Sequence, residues 1–243
     1  MSSERNRRLL LLGGVLLAAI VVVVVAIAVS QGGAEDEGEP PAGGGRPQAT
    51  QTEEVEQQFG GIPQDEVALG DPDAPATLIE FADLQCPFCA QFAVEALPSV
   101  VDRFVRDGRL RLDLRLLAFL GPDSERGAEV AAAATLQNHL WEFSELFFRN
   151  QGPENSGYAT DTFLRRLTRA TPGLDVDQVR EDLNSPAAQR FIRQARRQSN
   201  RLGVEGTPSF YLQRGDGRPE PFEVQSLDGA SFTAQLDEAL GAE

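Results

Sequence analysis

Lysine is absent from this sequence of 243 residues, so all 22 basic residues are arginine. Only two cysteines and one histidine are present, which is too few for a four-ligand zinc site and leaves haem or iron–sulfur clusters almost without ligands. Excess positive charge is also missing, because 37 acidic residues give a net charge of −15. Such a chain repels phosphate backbones, and we expect no nucleic-acid partner.

A long apolar run lies near the start of the chain. Residues 9–29 contain no charged or polar side chain, and as a helix they would cross a hydrocarbon core of about 30 Å. Three arginines within residues 1–8 precede the run, and no basic residue follows it before Arg46. The positive-inside rule therefore predicts a single-pass anchor at 9–29, with residues 1–8 in the cytoplasm and the rest of the chain outside.

Two alternatives compete with a retained anchor. The segment Ala26-Ile27-Ala28 has the small-x-small pattern of a signal-peptide cleavage site, although the apolar run is longer than the roughly 7 to 15 residues usual for such signals. A buried core helix is the other alternative, but the run has no polar face.

The composition changes abruptly after the apolar run. Residues 30–63 hold eight Gly, four Pro and seven acidic residues against one aromatic residue and one arginine. A segment of this kind buries too little apolar surface to offset the entropy lost on ordering. We therefore predict a flexible acidic linker at 30–63, which holds a folded domain away from the membrane.

Residues 64–243 have the pattern of one α/β domain. Apolar runs bounded by turn residues predict strands at four places: 76–81, 110–119, 209–212 and 221–224. Between the first two strands, a helix is predicted from Pro87 to Asp107-Gly108. Further helices are predicted to start near Ser124 (as N-cap), Asp161, Asp175 and Ser185, the last ending at Gly203, with a final helix at 232–240. The order β-α-β, helices, β-β-α implies an all-helical insertion at about 121–203.

The two cysteines lie at the predicted junction between the first strand and its helix, in the sequence Cys86-Pro87-Phe88-Cys89. Free backbone N–H groups and the helix dipole at that N-terminus favour a thiolate at Cys86, which makes Cys86 the predicted nucleophile. Cys89 lies one turn inside the helix, where it is shielded and can resolve a mixed disulfide formed by Cys86. Pro87 and Phe88 then form the active-site dipeptide.

Two other readings of the cysteine pair stay open at this point. An inert disulfide staple would close so short a loop that it would remove little entropy from the unfolded chain. A metal clip would need further ligands, and His139, the single histidine, lies in a predicted helix with no third cysteine available.

Two motifs in this chain resemble those of the DsbA-like branch of the thioredoxin superfamily. They are residues 78–89 (LIEFADLQCPFC) and residues 206–210 (GTPSF), about 120 residues apart in the right order and separated by the helical block. The resemblance covers roughly residues 67–240. It implies a thioredoxin-like α/β fold with a helical insertion, a redox-active disulfide between Cys86 and Cys89, and no organic cofactor.

By position, Pro208 resembles the family's cis-proline, which faces the active-site disulfide. The preceding residue, Thr207, would then leave its backbone free to pair with a substrate strand. A cis bond is energetically accessible only before proline. An ordinary trans proline that opens a strand is the alternative.

Glu80 lies six residues before Cys86, where the superfamily often places a buried acid beneath the disulfide. Desolvation there would raise the pKa of the carboxyl, which could then exchange a proton with Cys89. The alternative is a strand glutamate that points to solvent.

The segment LWEFSELFF contains Trp141, Phe143, Phe147 and Phe148. We expect these rings to pack the inserted helices onto the fold, although an exposed subset could instead form an apolar docking surface for unfolded proteins.

These observations predict an extracytoplasmic, monomeric thiol–disulfide oxidoreductase that donates its disulfide to unfolded or reduced exported proteins and is reoxidised by a quinone-linked thiol oxidase of the same membrane. Phe88 stands where the most oxidising relatives have a thiolate-stabilising histidine. We therefore expect a less extreme potential within the range of about −120 to −270 mV. A reductase or isomerase of the same fold and a non-catalytic, membrane-tethered binding module are the alternatives. Isomerases of this superfamily usually carry a folded dimerisation domain, and we expect none between the predicted anchor and the catalytic domain.

Overall fold

The computed structural model describes residues 49–241 of the chain. The predicted anchor at 9–29 and the first part of the predicted linker lie outside these residues. Within residues 49–241, no helix has both the length and the apolar character needed to cross a membrane.

A six-stranded mixed sheet forms the centre of the described part, with the strand order β1-β2-β4-β3-β5-β6. Its strands are β1 (Gln64–Asp65), β2 (Ala68–Leu69), β3 (Ala76–Ala82), β4 (Arg111–Leu116), β5 (Ser209–Arg214) and β6 (Glu220–Pro221). β3 and β4 are parallel, and every other neighbouring pair is antiparallel.

β3 is a central strand, and its sequence ATLIEFA shows why. Six of its seven residues are buried, as expected for a strand covered on both faces, whose sequence is a nearly continuous apolar run. Leu78 and Ile79 belong to two different apolar clusters, which lie on opposite faces of the sheet. Glu80 shares a face with Leu78 and lies opposite Leu114 of β4 and Phe210 of β5.

Eight helical elements surround this sheet within the described residues. They are α1 (Ala49–Phe59), α2 (residues 87–105), α3 (Pro122–Thr135), α4 (Leu140–Arg149), α5 (Asp161–Ala170), α6 (Val176–Asp182), α7 (Pro186–Leu202) and α8 (Gly229–Gly241). α2 is α-helical at Pro87–Gln91 and Leu97–Val100 and π-helical at Phe92–Ala96 and Val101–Val105. Pro98 has no N–H group to donate to the helix. Beside it the hydrogen bonds change from the α-helical to the π-helical pattern, and the Leu97 N–H donates to the carbonyl of Phe92, five residues earlier.

Several helix ends follow the capping rules that predicted them. The carboxylate of Asp175 accepts hydrogen bonds from the backbone N–H groups of Asp177 and Gln178 at the start of α6. Ser185 caps α7 in the same way, and Gly203 ends that helix with a φ of 73°.

The prediction that Ser124 caps α3 is wrong. The helix begins at Pro122, after Gly121, whose φ of 101° is a conformation that favours glycine. Ser124 is buried instead, and its hydroxyl donates a hydrogen bond to the Asp83 carboxylate at 2.5 Å.

The predicted linker at 30–63 is wrong over its last part, where the chain forms α1 and the turn that follows it. Val55 and Phe59 are spaced four residues apart, so they lie on one face of α1, and both are buried in the core. The Phe59 ring packs on Trp141 of α4 with ring centroids 6.2 Å apart. Averaging composition over the whole segment hid this short amphipathic stretch among polar residues.

The sheet edges also differ from the prediction. β1 and β2 form an unpredicted hairpin, because strands of two residues show no alternation that a sequence can reveal. β4 ends at Leu116 and not at Phe119, because the N–H groups of Phe119 and Leu120 donate to the Asp83 carboxylate. β6 is confined to Glu220–Pro221.

The all-helical insertion comprises α3 to α7, in agreement with the predicted 121–203. Trp141, Phe143, Phe147 and Phe148 of α4 are all buried, which confirms core packing and excludes them as an exposed docking surface. Phe147 makes an edge contact with Phe163 of α5, with centroids 5.4 Å apart. α4 also packs against the first segments of α2 and thereby lies beside the cysteine pair.

Candidate active site

Cys86 is the N-cap of α2, at the point where the chain leaves β3 and enters the helix. Pro87 occupies the first helical position, where a missing N–H has no cost. The Cys89 N–H donates to the Cys86 sulfur over 3.4 Å, so the sulfur lies at the positive end of the helix dipole. Both cysteines are free thiols in this structure.

The two thiols differ in their acidity. The pKa of Cys86 is lowered to about 6, chiefly by the hydrogen bond from the Cys89 side chain and also by hydrogen bonding with Thr207 and with the backbone of Cys89 and Phe88, while partial burial opposes the change. Burial raises the pKa of Cys89 well above its ordinary value, and the neighbouring Cys86 and Glu80 raise it further. The pair therefore combines an ionised outer thiol with a protonated inner one at neutral pH.

The loop that contains residues 206–208 closes over the cysteine pair. The Thr207–Pro208 peptide bond is cis, as predicted. The Cys86 sulfur lies 3.2 Å from the Thr207 carbonyl oxygen, which accepts a hydrogen bond from Cys86 when the thiol is protonated. A hydrogen bond from the Ser209 hydroxyl to the Gly206 carbonyl, at 2.7 Å, helps to hold this turn at the start of β5.

Glu80 is buried beneath the pair, which excludes the alternative of a solvent-facing side chain. Its Oε1 has no hydrogen-bond partner among residues 49–241. Burial raises its pKa to about 8, with repulsion from Glu145 and Cys86 as smaller causes. At neutral pH the carboxyl is therefore mostly protonated.

Glu145 is a second buried acid at this site, and the sequence reasoning missed it. It belongs to α4, its pKa is raised to about 7 by burial, and Arg149 opposes that shift. The Arg149 Nε donates to Glu145 Oε1 over 2.7 Å, and another nitrogen of the same guanidinium contacts Glu54 of α1 over 2.8 Å. The signal that could have revealed it is an acid within the apolar run at 140–148, followed four residues later by arginine.

A hydrogen-bond network fixes the turn between β3 and Cys86, and it too was not predicted. The buried carboxylate of Asp83 accepts from the N–H groups of Gln85, Phe119 and Leu120 and from the Ser124 hydroxyl, over 2.5 to 3.0 Å. The Gln85 side chain accepts from the N–H group of Asn155, at 2.7 Å. These bonds connect the turn to the end of β4 and to the loop between α4 and α5.

An open groove of about 410 Å³ lies next to the Cys86 sulfur. Its lining residues come from the cysteine turn, the loop after β4, the α4–α5 loop and the Thr207 turn: Cys86, Pro87, Phe88, Phe119, Leu120, Glu154, Glu205, Gly206 and Thr207. Phe88 and Phe119 are 60% and 50% exposed. Cys86 therefore faces an open surface that exposes two aromatic side chains.

Candidate metal ligands are scattered. Within the part of the chain that the structure describes, no three His, Cys, Asp or Glu side chains form a group that could hold a metal ion. His139 immediately precedes α4, and its Nδ1 lies 3.6 Å from Glu142 of the same helix, remote in sequence from both cysteines.

Comparison with known proteins agrees with this geometry. A family model described as thioredoxin matches residues 63–220, a range that includes both cysteines and the Thr207–Pro208 bond and exceeds half of the chain. The chain belongs to the thioredoxin family. With its helical insertion and its paired thiols, it is a DsbA-like thiol–disulfide oxidoreductase.

Individual relatives support the same class. A curated protein of Bacillus anthracis named "Probable disulfide bond formation protein D" is 28% identical over 156 residues, which are 63% of this chain and 72% of that protein. The crystal structure of oxidised BdbD from Bacillus subtilis superposes with a TM-score of 0.60 at 20% identity and covers 82% of this chain and 95% of that one. A thioredoxin-like oxidoreductase from Silicibacter pomeroyi has a TM-score of 0.57 at 28% identity, with 77% and 98% covered.

Proposed function

We propose that this protein is an extracytoplasmic disulfide oxidase, which donates a Cys86–Cys89 disulfide to reduced exported proteins. The observation that carries the proposal is the difference between the two thiols. An outer cysteine with a pKa of about 6 leaves readily as a thiolate. A buried partner with a raised pKa stays protonated, so it attacks the mixed disulfide slowly and seldom returns the client in its reduced form. This combination favours release of an oxidised client over retention of the mixed disulfide.

The reaction begins when a client thiolate attacks the Cys86 sulfur of the disulfide form. The client–Cys86 bond forms, the Cys86–Cys89 bond breaks, and Cys89 leaves with the electron pair and takes up a proton. A second client thiolate then attacks the client sulfur of the mixed disulfide, and Cys86 leaves as a thiolate. The client has lost two electrons and the protein has gained two.

Glu80 is the proposed proton donor to Cys89. The carboxyl is buried beneath the pair and protonated at neutral pH, so it can supply the proton that the leaving Cys89 needs where water has little access. Solvent then returns a proton to Glu80.

Thr207 and Pro208 are the proposed substrate-binding residues. Thr207 lines the groove, and its carbonyl oxygen lies next to the reacting sulfur, so a client segment bound along this turn would present its cysteine to Cys86. Pro87 and Phe88 form the other side of the same opening.

The proposed location rests on the amino-terminal sequence. The apolar run at 9–29 and the arginines before it favour a membrane anchor with the oxidoreductase domain outside, where disulfides persist. Turnover then requires an electron acceptor, and a quinone-linked thiol oxidase in the same membrane is the proposed partner. The names of the curated relatives, disulfide bond formation proteins, support the same direction of electron flow.

The direction can be tested with purified protein in its disulfide form. We expect it to convert a reduced, unfolded, multi-cysteine enzyme to its active state, and we expect the Cys86→Ala variant to be inert. The Phe88 side chain favours the alternative, a reductase, because it does not stabilise a thiolate as a histidine side chain would. Faster reduction of a client disulfide than formation of one would establish that alternative, and failure of Cys86 to react with an alkylating reagent would favour a non-catalytic binding module.

A further inference from the structure

The groove beside Cys86 is lined by carboxylates that thiol–disulfide exchange does not require. Glu154 and Glu205 line it, and both side chains are exposed. Neither carboxylate takes part in an ion pair within residues 49–241, and none of the groove-lining residues is an arginine. The opening is therefore negatively charged.

The two carboxylates come from separate parts of the fold, and each adjoins an ordered feature of the site. Glu154 belongs to the α4–α5 loop and is followed by Asn155, whose N–H group donates to the Gln85 side chain. Glu205 precedes the turn that places Thr207 against the Cys86 sulfur. Both acids line the groove that contains Cys86, so their charges act on any segment that binds there.

The same groove also presents an apolar surface. Three large hydrophobic side chains are exposed in the described part of the chain, Phe88, Phe119 and Val94, and the two phenylalanines line the groove. The backbone N–H groups of Phe119 and Leu120 are held by Asp83, so this wall is formed before a client arrives. Exposed aromatic rings at a reactive site offer contact area to apolar side chains.

We propose that this groove selects client segments in which the reacting cysteine is flanked by one basic and one apolar side chain. This inference rests on the proposed oxidase function and specifies its substrate class. A basic side chain would lie between Glu154 and Glu205 and would pair with carboxylates that otherwise have no cation, and an apolar side chain would pack on Phe88 and Phe119. An acidic segment would be repelled before its thiolate reached Cys86.

The test compares two-cysteine peptides that differ only in the residue beside the first cysteine, which is Arg, Gln or Glu. Rates of peptide oxidation by the full chain in its disulfide form are measured by acid quench, alkylation and mass spectrometry. An adjacent arginine also lowers the pKa of the peptide's own thiol. Each oxidation rate is therefore divided by the rate at which the same peptide reacts with a neutral reference oxidant, bis(2-hydroxyethyl) disulfide. We expect the corrected Arg/Glu rate ratio to be about fivefold at low ionic strength and to fall as salt is added.

Matched variants separate the groove from the general charge of the protein. The double variant Glu154→Gln with Glu205→Gln should bring the corrected ratio close to one. Glu181→Gln with Glu238→Gln removes the same charge from exposed positions on α6 and α8 that do not line the groove, and it should leave the ratio unchanged. A ratio that is the same in both double variants, or a ratio near one in the unmodified protein, would overturn the electrostatic part of the proposal.

The apolar part has its own pair of variants. Peptides with Leu or Gln on the other side of the cysteine should differ in rate, and Phe119→Ala should reduce that difference by about threefold or more. Val94→Ala, which removes an exposed hydrophobic side chain outside the groove, is the control. Oxidation of no peptide at all would refute the proposed function itself, whereas equal oxidation of all peptides would refute only this inference.

Discussion

The Cys86 sulfur lies 3.2 Å from the main-chain oxygen of Thr207, although 121 residues separate the two in the sequence. The whole helical insertion lies between them, so the site is assembled only when both halves of the α/β domain have come together. The contact brings the proposed nucleophile and the proposed client-binding turn to one place, and the predictions that follow concern the groups around it.

The first prediction separates the roles of the two cysteines. The Cys89→Ser variant should accumulate mixed disulfides with client proteins, because its Cys86 thiolate attacks a client disulfide and one client sulfur leaves as a thiolate, while the thiol that would release the bound client is missing. The Cys86→Ser variant should accumulate none, because the remaining thiol is buried and protonated. Non-reducing electrophoresis after acid quenching measures both, and equal trapping by the two variants would contradict the assignment.

A second prediction concerns the acidity of Cys86. Its low pKa depends chiefly on the hydrogen bond from the Cys89 side chain, so Cys89→Ala should raise the pKa of Cys86 above 6 and slow its alkylation at pH 6 by about tenfold. Cys89→Ser keeps a hydrogen-bond donor at the same position, so the pKa of Cys86 should stay close to its low value in that variant. Thiolate absorbance across a pH series gives both values, and identical titrations of the Ala and Ser variants would show that the hydrogen bond has little effect.

The burial of Glu80 should make stability depend on pH. Its pKa rises from 4.5 in the unfolded chain to about 8 in the folded one, so the folded state binds more protons between these values. The free energy of unfolding therefore falls as pH increases from 4.5 to 8, and the stability present below pH 4.5 is lost above pH 8. Glu80→Gln should remove a few kcal/mol of this dependence in denaturant titrations of the dithiol form. Parallel curves for the two proteins would mean that Glu80 titrates normally.

Glu145 should affect the titration of Glu80 across the site. Repulsion from Glu145 contributes to the raised pKa of Glu80, so Glu145→Gln should lower the pKa of Glu80 below 8. The carboxyl carbon shifts of Glu80, assigned by comparison with Glu80→Gln, provide a measurement that a purely structural role of Glu145 would not alter. An unchanged midpoint would show that Arg149 already neutralises the effect of Glu145.

The Asp83 network should contribute strongly to stability. Asp83→Ala would leave the N–H groups of Phe119 and Leu120 and the Ser124 hydroxyl without their acceptor, at a cost of about 3 kcal/mol or more. Ser124→Ala removes one bond to Asp83 and the bond that the Gln85 side-chain amide donates to the hydroxyl, and it should cost about 1 to 2 kcal/mol. Urea unfolding measures both changes, and similar losses for the two variants would contradict a central role for the carboxylate.

Sequence reasoning found the parts of the site that local rules or paired motifs specify. Cys86 and Cys89 are recognisable from their spacing at a strand–helix junction, and Thr207 and Pro208 from their motif downstream. The family resemblance implies the burial of Glu80, whereas the strand sequence alone allows a side chain on either face.

The residues that were missed act through contacts between distant segments. Asp83 accepts hydrogen bonds from residues 36 to 41 positions away, and nothing in its immediate sequence indicates those partners. The sequence around Glu145 shows an acid in an apolar run with an arginine four residues later, and the packing of α4 against α2 is what places that acid at the site. The two-residue strands and the short amphipathic helix α1 were not predicted for another reason. Their hydrophobic patterns are too short to be distinguished from the surrounding sequence.

α1 has a practical consequence for where the catalytic domain begins. A truncated protein starting at residue 64, the boundary that composition suggests, would lack Val55 and Phe59 and would uncover the apolar surface that they fill on α4. Arg106 would lose the three carbonyls of the α1 C-terminal turn to which it donates, and Arg149 would lose Glu54. A version of the catalytic domain that keeps these contacts must therefore include α1, which begins at Ala49.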